Sequence, residues 1–124
     1  MNKIMAVAVG GALGSVLRYG LSNWVHSFVG RGFPYGTLAV NVLGCLAMGI
    51  LFVLFVERSS ENTLWRTGLV IGLLGGFTTF SAFSIETFSL LEQGAMAKAI
   101  GYVAASLMLC LGATWLGVLL ARQL

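Results

Sequence analysis

Apolar residues gather into four long runs along the chain, separated by short connectors rich in glycine, proline or charge. The runs extend from about Ile4 to Phe28, Gly36 to Val56, Trp65 to Leu91 and Ala97 to Leu120. Each is near the roughly 20 residues with which a helix, rising about 1.5 Å per residue, crosses about 30 Å of hydrocarbon. The connectors Gly30 to Gly36 (with the only proline), Glu57 to Asn62 and Glu92 to Lys98, and the closing Ala-Arg-Gln-Leu, collect the breakers and many of the charges. The pattern predicts an all-α integral membrane protein of four spans, with residues 1–124 as one transmembrane domain and no segment left for a soluble one. The first run follows Lys3 as a secretory signal would. Arg18 interrupts it, however, and it is longer than the roughly 7–15 apolar residues of a signal core, so it is read as a helix.

Composition supports this reading and removes most chemistry. Hydrophobic residues make up 58% of the chain and charged ones 9%, with a mean hydropathy of +0.95. A soluble domain carries about a quarter charged residues. One histidine, two cysteines far apart in sequence (Cys45 and Cys110) and four carboxylates offer little for zinc, thiol-redox or acid–base catalysis, so no enzyme is expected. Both cysteines sit within apolar runs, where a thiol behaves as a small apolar side chain. The net charge of +3 is spread singly, without the basic clusters of a nucleic-acid site.

The charges also bear on orientation. With four spans, Lys3, Arg58, Arg66 and Arg122 share one side, against Arg31 and Lys98, with His26 if protonated, on the other. Four against two is a weak bias under the positive-inside rule. A chain so nearly balanced can insert both ways, and two oppositely oriented copies would form an antiparallel homodimer. A one-way protein with both termini cytoplasmic fits the counts equally well.

Polar residues within the runs mark the candidate pathway. The third run contains Gly75-Gly76-Phe77-Thr78-Thr79-Phe80-Ser81-Ala82-Phe83-Ser84, whose glycine pair and adjacent threonines weaken helical continuity. A break in this helix is expected, and a break at membrane depth frees backbone carbonyls of the kind that bind ions in transporters. An unbroken helix with a small-residue packing seam is the alternative. Phe80 and Phe83, three apart, share a helix face, and the positive edges of their rings can contact an anion. Lipid contact or packing is the commoner role of such a pair. Thr37, Asn41, Gly44 and Met48 form one stripe on the second helix, and Tyr102, Ser106, Cys110 and Thr114 another on the fourth. Singly these suit interhelical hydrogen bonds; as two tracks beside a phenylalanine pair they suit a narrow polar path. Arg18 follows Gly10 and Gly14 at four-residue spacing and must snorkel to the interface or face a wet vestibule. Glu86, the one acid well inside a run, is a functional candidate that can also reach the interface or pair with Arg18.

Together the Gly75–Ser84 stretch, the Phe80/Phe83 pair, Gly36-Thr-Leu-Ala-Val-Asn41-Val-Leu-Gly44 and Gly10-Gly-Ala-Leu-Gly-Ser-Val-Leu-Arg18-Tyr-Gly20 resemble the Fluc (CrcB-type) fluoride channels of bacteria, over essentially the whole length. The resemblance implies a passive, fluoride-selective channel of the bacterial inner membrane that lowers cytoplasmic fluoride. It implies a dual-topology antiparallel homodimer with two pores. By the same resemblance Phe80 and Phe83 turn their ring edges to the ion and Asn41 donates to it. The carbonyls of Gly75 and Thr78 from both copies hold a structural sodium ion, and Arg18 serves the vestibule. Thr37, Ser81, Ser84, Glu86, Tyr102, Ser106 and Thr114 line or support the path. The chain departs from the pattern at Ala82, where a hydroxyl is usual, and at Cys110, where a serine would continue the polar track.

Two other readings compete. A small multidrug-resistance exporter is also a four-span dual-topology dimer, but its proton coupling needs a carboxylate in the first span, and this one has none. An accessory or assembly protein held by small-residue seams would move no ions and would tolerate substitution of Asn41 and Phe80.

Overall fold

The computed structural model describes residues 2–58 and 63–124, so the expected connector Glu57 to Asn62 lies largely outside the described residues. Among those residues, four helices are long and apolar enough to cross a membrane: Lys3–Val29, Tyr35–Glu57, Leu64–Glu92 and Met96–Arg122. Every boundary falls within two residues of the expected one, because the local signals that stop helices coincide with the ends of the apolar runs. The Asn2 side chain accepts the Met5 N–H at 2.8 Å and caps the first helix. Gly30 ends that helix at φ 77°, and Gly94 supplies φ 76° for the turn into the fourth. Pro34 precedes the second helix and the Thr63 hydroxyl caps the third, accepting the Arg66 N–H at 3.2 Å.

The helices approach one another closely where glycine removes the side chain. A Cβ on Gly10 would overlap the carbonyl oxygen of Gly68, and one on Gly14 that of Leu73, so the first helix lies directly on the backbone of the third. Gly49 and Gly117 do the same for the second and fourth, meeting the backbones of Thr114 and Leu46. In lipid, where apolar contact with a neighbouring helix is no better than contact with acyl chains, such close approach supplies much of the packing energy. The second helix finishes in wide π-helical turns over Val53–Glu57, and the third runs in them over Thr67–Leu74.

Charges sort to the two ends as the span arithmetic requires. Glu57 and Arg122 form an ion pair at one end, with Arg122 Nε donating at 3.0 Å, and Arg58 donates to the carbonyl of Ala121 at 2.7 Å. At the other end Lys98 donates to the carbonyl of Gly32 at 3.3 Å, and Arg31 to Asn23 at 3.1 Å. The Arg122 guanidinium and Arg58 also lie at the C-terminus of the fourth helix, where its dipole favours positive charge.

The third helix is helical to Phe77 and again from Phe80 to Glu92. Between them Thr78 (φ −81°, ψ 154°) and Thr79 (φ −149°, ψ 115°) are extended. The two extended residues divide the helix nearly in half, placing non-helical backbone at mid-depth of the bundle.

Candidate functional site

Two extended residues in the middle of an apolar bundle leave peptide groups without helical partners, and in lipid each must be satisfied by protein. Asn41 meets this demand for Thr79 with both ends of its carboxamide. Its Nδ2 donates to the Thr79 carbonyl at 3.0 Å, and its Oδ1 accepts the Thr79 N–H at 2.8 Å. The side chain thus does what the peptide of an adjacent strand would do. The second half of the helix starts on its own cap: the Ala82 N–H donates to Thr79 Oγ1 at 3.1 Å, and Ser81 Oγ lies 3.2 Å from the same atom.

These substitutions have a consequence for three carbonyls. In a continuous helix the N–H groups of Thr79, Phe80 and Ala82 would serve the carbonyls of Gly75, Gly76 and Thr78. Here Gly76 receives Arg18 Nε at 3.2 Å, which sets a positive charge at the end of the first half-helix. The N–H groups of Thr79 and Ala82 go to Asn41 and Thr79 Oγ1, so the carbonyls of Gly75 and Thr78 are released from helical bonding. They are hard, neutral oxygens, a donor type that suits an alkali-metal cation. Among the described residues no group of three or more His, Cys, Asp or Glu can hold a metal.

Beside the break lies a cavity of about 280 Å³ walled by the second, third and fourth helices, with Asn41, Thr79, Phe80, Phe83 and Ser106 among its lining residues. The rings of Phe80 and Phe83 have centroids 5.3 Å apart at an angle of 48°. Phe80 is 75% exposed, so the cavity is open on that side of the chain. The wall carries no formal charge: its polar groups are an amide, hydroxyls and thiols. The second and fourth helices run side by side in register. Thr37 lies by Tyr102, Asn41 and Ser106 share the cavity, Cys45 neighbours Cys110, and Gly49 meets Thr114. Each of these four rungs joins residues the same 65 positions apart.

One turn from the cavity, Thr37 Oγ1 donates to Glu86 Oε1 at 2.6 Å. Tyr102 is fully buried between the rings of Phe33 and Phe83, with centroids 5.5 and 5.1 Å away, and its hydroxyl has no hydrogen-bond partner. Glu86 therefore bonds Thr37 and Arg18 bonds Gly76; the Arg18–Glu86 pairing considered from the sequence does not form within the chain. Arg18 lines a polar hollow of about 220 Å³ with Ser22, Asn23, Thr37 and Thr79. Glu86 opens instead on a hollow of about 420 Å³ at the Lys98 end, beside His26, Arg31 and Lys98.

Of the residues singled out by the sequence, the structure brings Asn41, Phe80, Phe83 and Ser106 together on one cavity and Thr37, Glu86 and Tyr102 into a cluster beside it. Ser81 and Ser84 lie on the exposed surface of the chain. Thr114 lies one rung beyond Cys110, its carbonyl against Gly49. The sequence does not single out Thr79 as the residue that joins both halves of the broken helix, although Ser or Thr directly before an apolar run is a helix-start signal. Cys45 does not stand out in the sequence as a facing residue, because the polar stripe of the second helix runs through Gly44 and Met48; four-residue steps from Asn41 lead to it.

The fold and site define a multi-pass membrane protein with an uncharged cavity beside an interrupted helix. The chain belongs to the family described as CrcB-like protein, Camphor Resistance (CrcB), whose model matches residues 5–118. It is 51% identical over 124 residues to a protein of Geobacter metallireducens named Fluoride-specific ion channel FluC, covering 100% of both chains. A Coxiella burnetii protein of the same name is 51% identical over 122 residues, 98% of each chain, and one from Geobacter sulfurreducens is 50% identical over 124 residues, again covering both chains fully.

Proposed function

We propose that this protein is a passive, fluoride-selective channel, not an enzyme, that releases fluoride across the inner membrane of a bacterial cell. The observation that carries the reading is the cavity at the helix break, where two phenylalanine rings, an amide and a hydroxyl converge without a formal charge. Fluoride is small, strongly hydrated and a strong hydrogen-bond acceptor, so a pathway must replace its water with donors. A fixed cation at the constriction would hold it too long, because conduction needs sites weak enough to leave. Ring edges and neutral donors meet that condition. The names of the relatives support the same ion.

The working unit is an antiparallel homodimer of dual topology with two pores. Two features support it. The cavity is open beside an exposed Phe80, so one chain leaves the path unwalled on that side. The released carbonyls of Gly75 and Thr78 lie midway along the third helix, the depth at which a twofold axis in the membrane plane would bring two copies of them together. Four such oxygens would hold a structural sodium ion, which supplies positive charge to bind the two interrupted helices. In this reading Thr37, Ser81, Ser84, Glu86, Tyr102, Ser106 and Thr114 line or support the path and Arg18 draws anions to one mouth.

Fluoride efflux from liposomes holding the purified protein, read with a fluoride electrode and repeated with chloride, tests the reading. Fast fluoride efflux with negligible chloride leak, abolished by Phe80→Ile or Asn41→Asp, is expected. Exchange of a lipophilic cation for protons, or no flux from an intact dimer, would replace it with an exporter or an assembly role.

A further inference from the structure

We propose that Cys45, Met48 and Cys110 form a three-sulfur site for a soft monovalent d¹⁰ cation, copper(I) or silver(I), and that its occupation closes the cavity beside Phe80 and Phe83. All three residues are half-buried and line the same cavity of about 280 Å³. Cys45 and Cys110 form one rung between the second and fourth helices, with the Cys45 side chain close enough to interact with the Cys110 thiol, and both cysteines are free. Met48 is three positions after Cys45, hence on the same helix face. The helix backbones that carry the pair are held in close contact beside it by Gly49 against Thr114 and Gly117 against Leu46, which limits how far the rung can splay.

Two thiolates and a thioether are soft ligands that select copper(I)-type ions over hard cations. The released carbonyls of Gly75 and Thr78 have the opposite preference, so one chain separates soft and hard cations between two sites. On binding, each thiol gives its proton to water as its sulfur takes up the metal. Two thiolates with one monovalent cation leave the site with a net negative charge, in a cavity whose wall is otherwise uncharged. That charge and the filled volume both oppose an anion at the phenylalanine pair. The closure rests on the proposed channel function; the binding site does not.

Silver nitrate added to the purified full-length protein in chloride-free detergent solution provides the test, since silver fluoride is soluble. Calorimetry and the ultraviolet absorption of silver–thiolate bonds should report one silver per chain. Cys45→Ser and Cys110→Ser should each weaken binding by more than about 100-fold, the loss of a primary ligand exceeding that of an outer-shell partner. Met48→Leu should weaken it less. Binding that survives either cysteine substitution unchanged, or thiolate absorption that reaches two independent silvers per chain, would overturn the shared site. In liposomes, silver should abolish at least nine-tenths of each protein's own fluoride efflux in the parent and spare it in Cys45→Ser. Parent protein that binds silver yet keeps its efflux would overturn closure. Parent protein that binds silver but moves no fluoride beforehand would refute the channel reading and leave the site standing.

Discussion

Removing the Asn41 carboxamide is the sharpest perturbation the structure offers, because one side chain satisfies both peptide groups of Thr79. In Asn41→Ala the Thr79 N–H and carbonyl both lose their partners. Leaving two buried peptide groups wholly unsatisfied would cost about 2–6 kcal/mol, at about 1–3 each. Interhelical hydrogen bonds in membrane proteins average only about 0.6 kcal/mol, because alternative partners are found. The lower figure is closer here, since Asn41 borders a cavity large enough to admit water. A loss of about 1–2 kcal/mol follows, which corresponds to about a 5–30-fold change in an opening equilibrium. Amide exchange of Thr79 in the reconstituted protein should therefore speed up by that factor, while amides in the first helix hold steady, and fluoride efflux should fall with it. Unchanged Thr79 protection in Asn41→Ala would refute the clamp.

Three further outcomes follow from other parts of the bundle. Gly14→Ala should lower thermal stability by at least about 1 kcal/mol, the low end of the cost of overpacking, because its Cβ meets the Leu73 carbonyl and comes within 2.9 Å of the Phe77 nitrogen; detergent unfolding curves would show it. Tyr102→Phe should leave stability unchanged or slightly raised in the same assay, since the hydroxyl is buried without a partner, while any fall in fluoride efflux would be the signature of a hydroxyl used by the ion. Reconstitution with all sodium replaced by a large organic cation should abolish efflux and loosen the dimer; full activity without sodium would remove the structural cation from the proposal.

The amino-acid sequence was enough to place four helices to within two residues, because the apolar runs are long and bounded by short connectors of breakers and charges; the structure then shows Asn2, Gly30, Pro34, Thr63 and Gly94 standing at the helix ends. Phe80, Phe83, Asn41 and Ser106 were also legible as candidates, since polar or aromatic residues at helical spacing stand out against an apolar background. Periodicity names a face but not its neighbour. Arg18 was legible as a costly charge, yet its destination, the Gly76 carbonyl, depends on where the third helix opens.

Local chemistry in one chain thus determined the class of protein, the ends of its helices and the weak point at Gly75–Thr79, all of which follow from residue types and their spacing along the chain. The tertiary structure decided which side chains repair that weak point. Asn41 reaches Thr79 across 38 positions of sequence, and Cys45 meets Cys110 across 65, distances over which no local rule acts. The Cys45–Cys110 pairing arises because Gly49 and Gly117 let the second and fourth helix backbones touch, and Asn41 reaches the break because Gly44, on the same helix, lets the second helix lie against the side chains of Phe77 and Thr78. A missing side chain specifies close approach only once a partner is there to fill the gap.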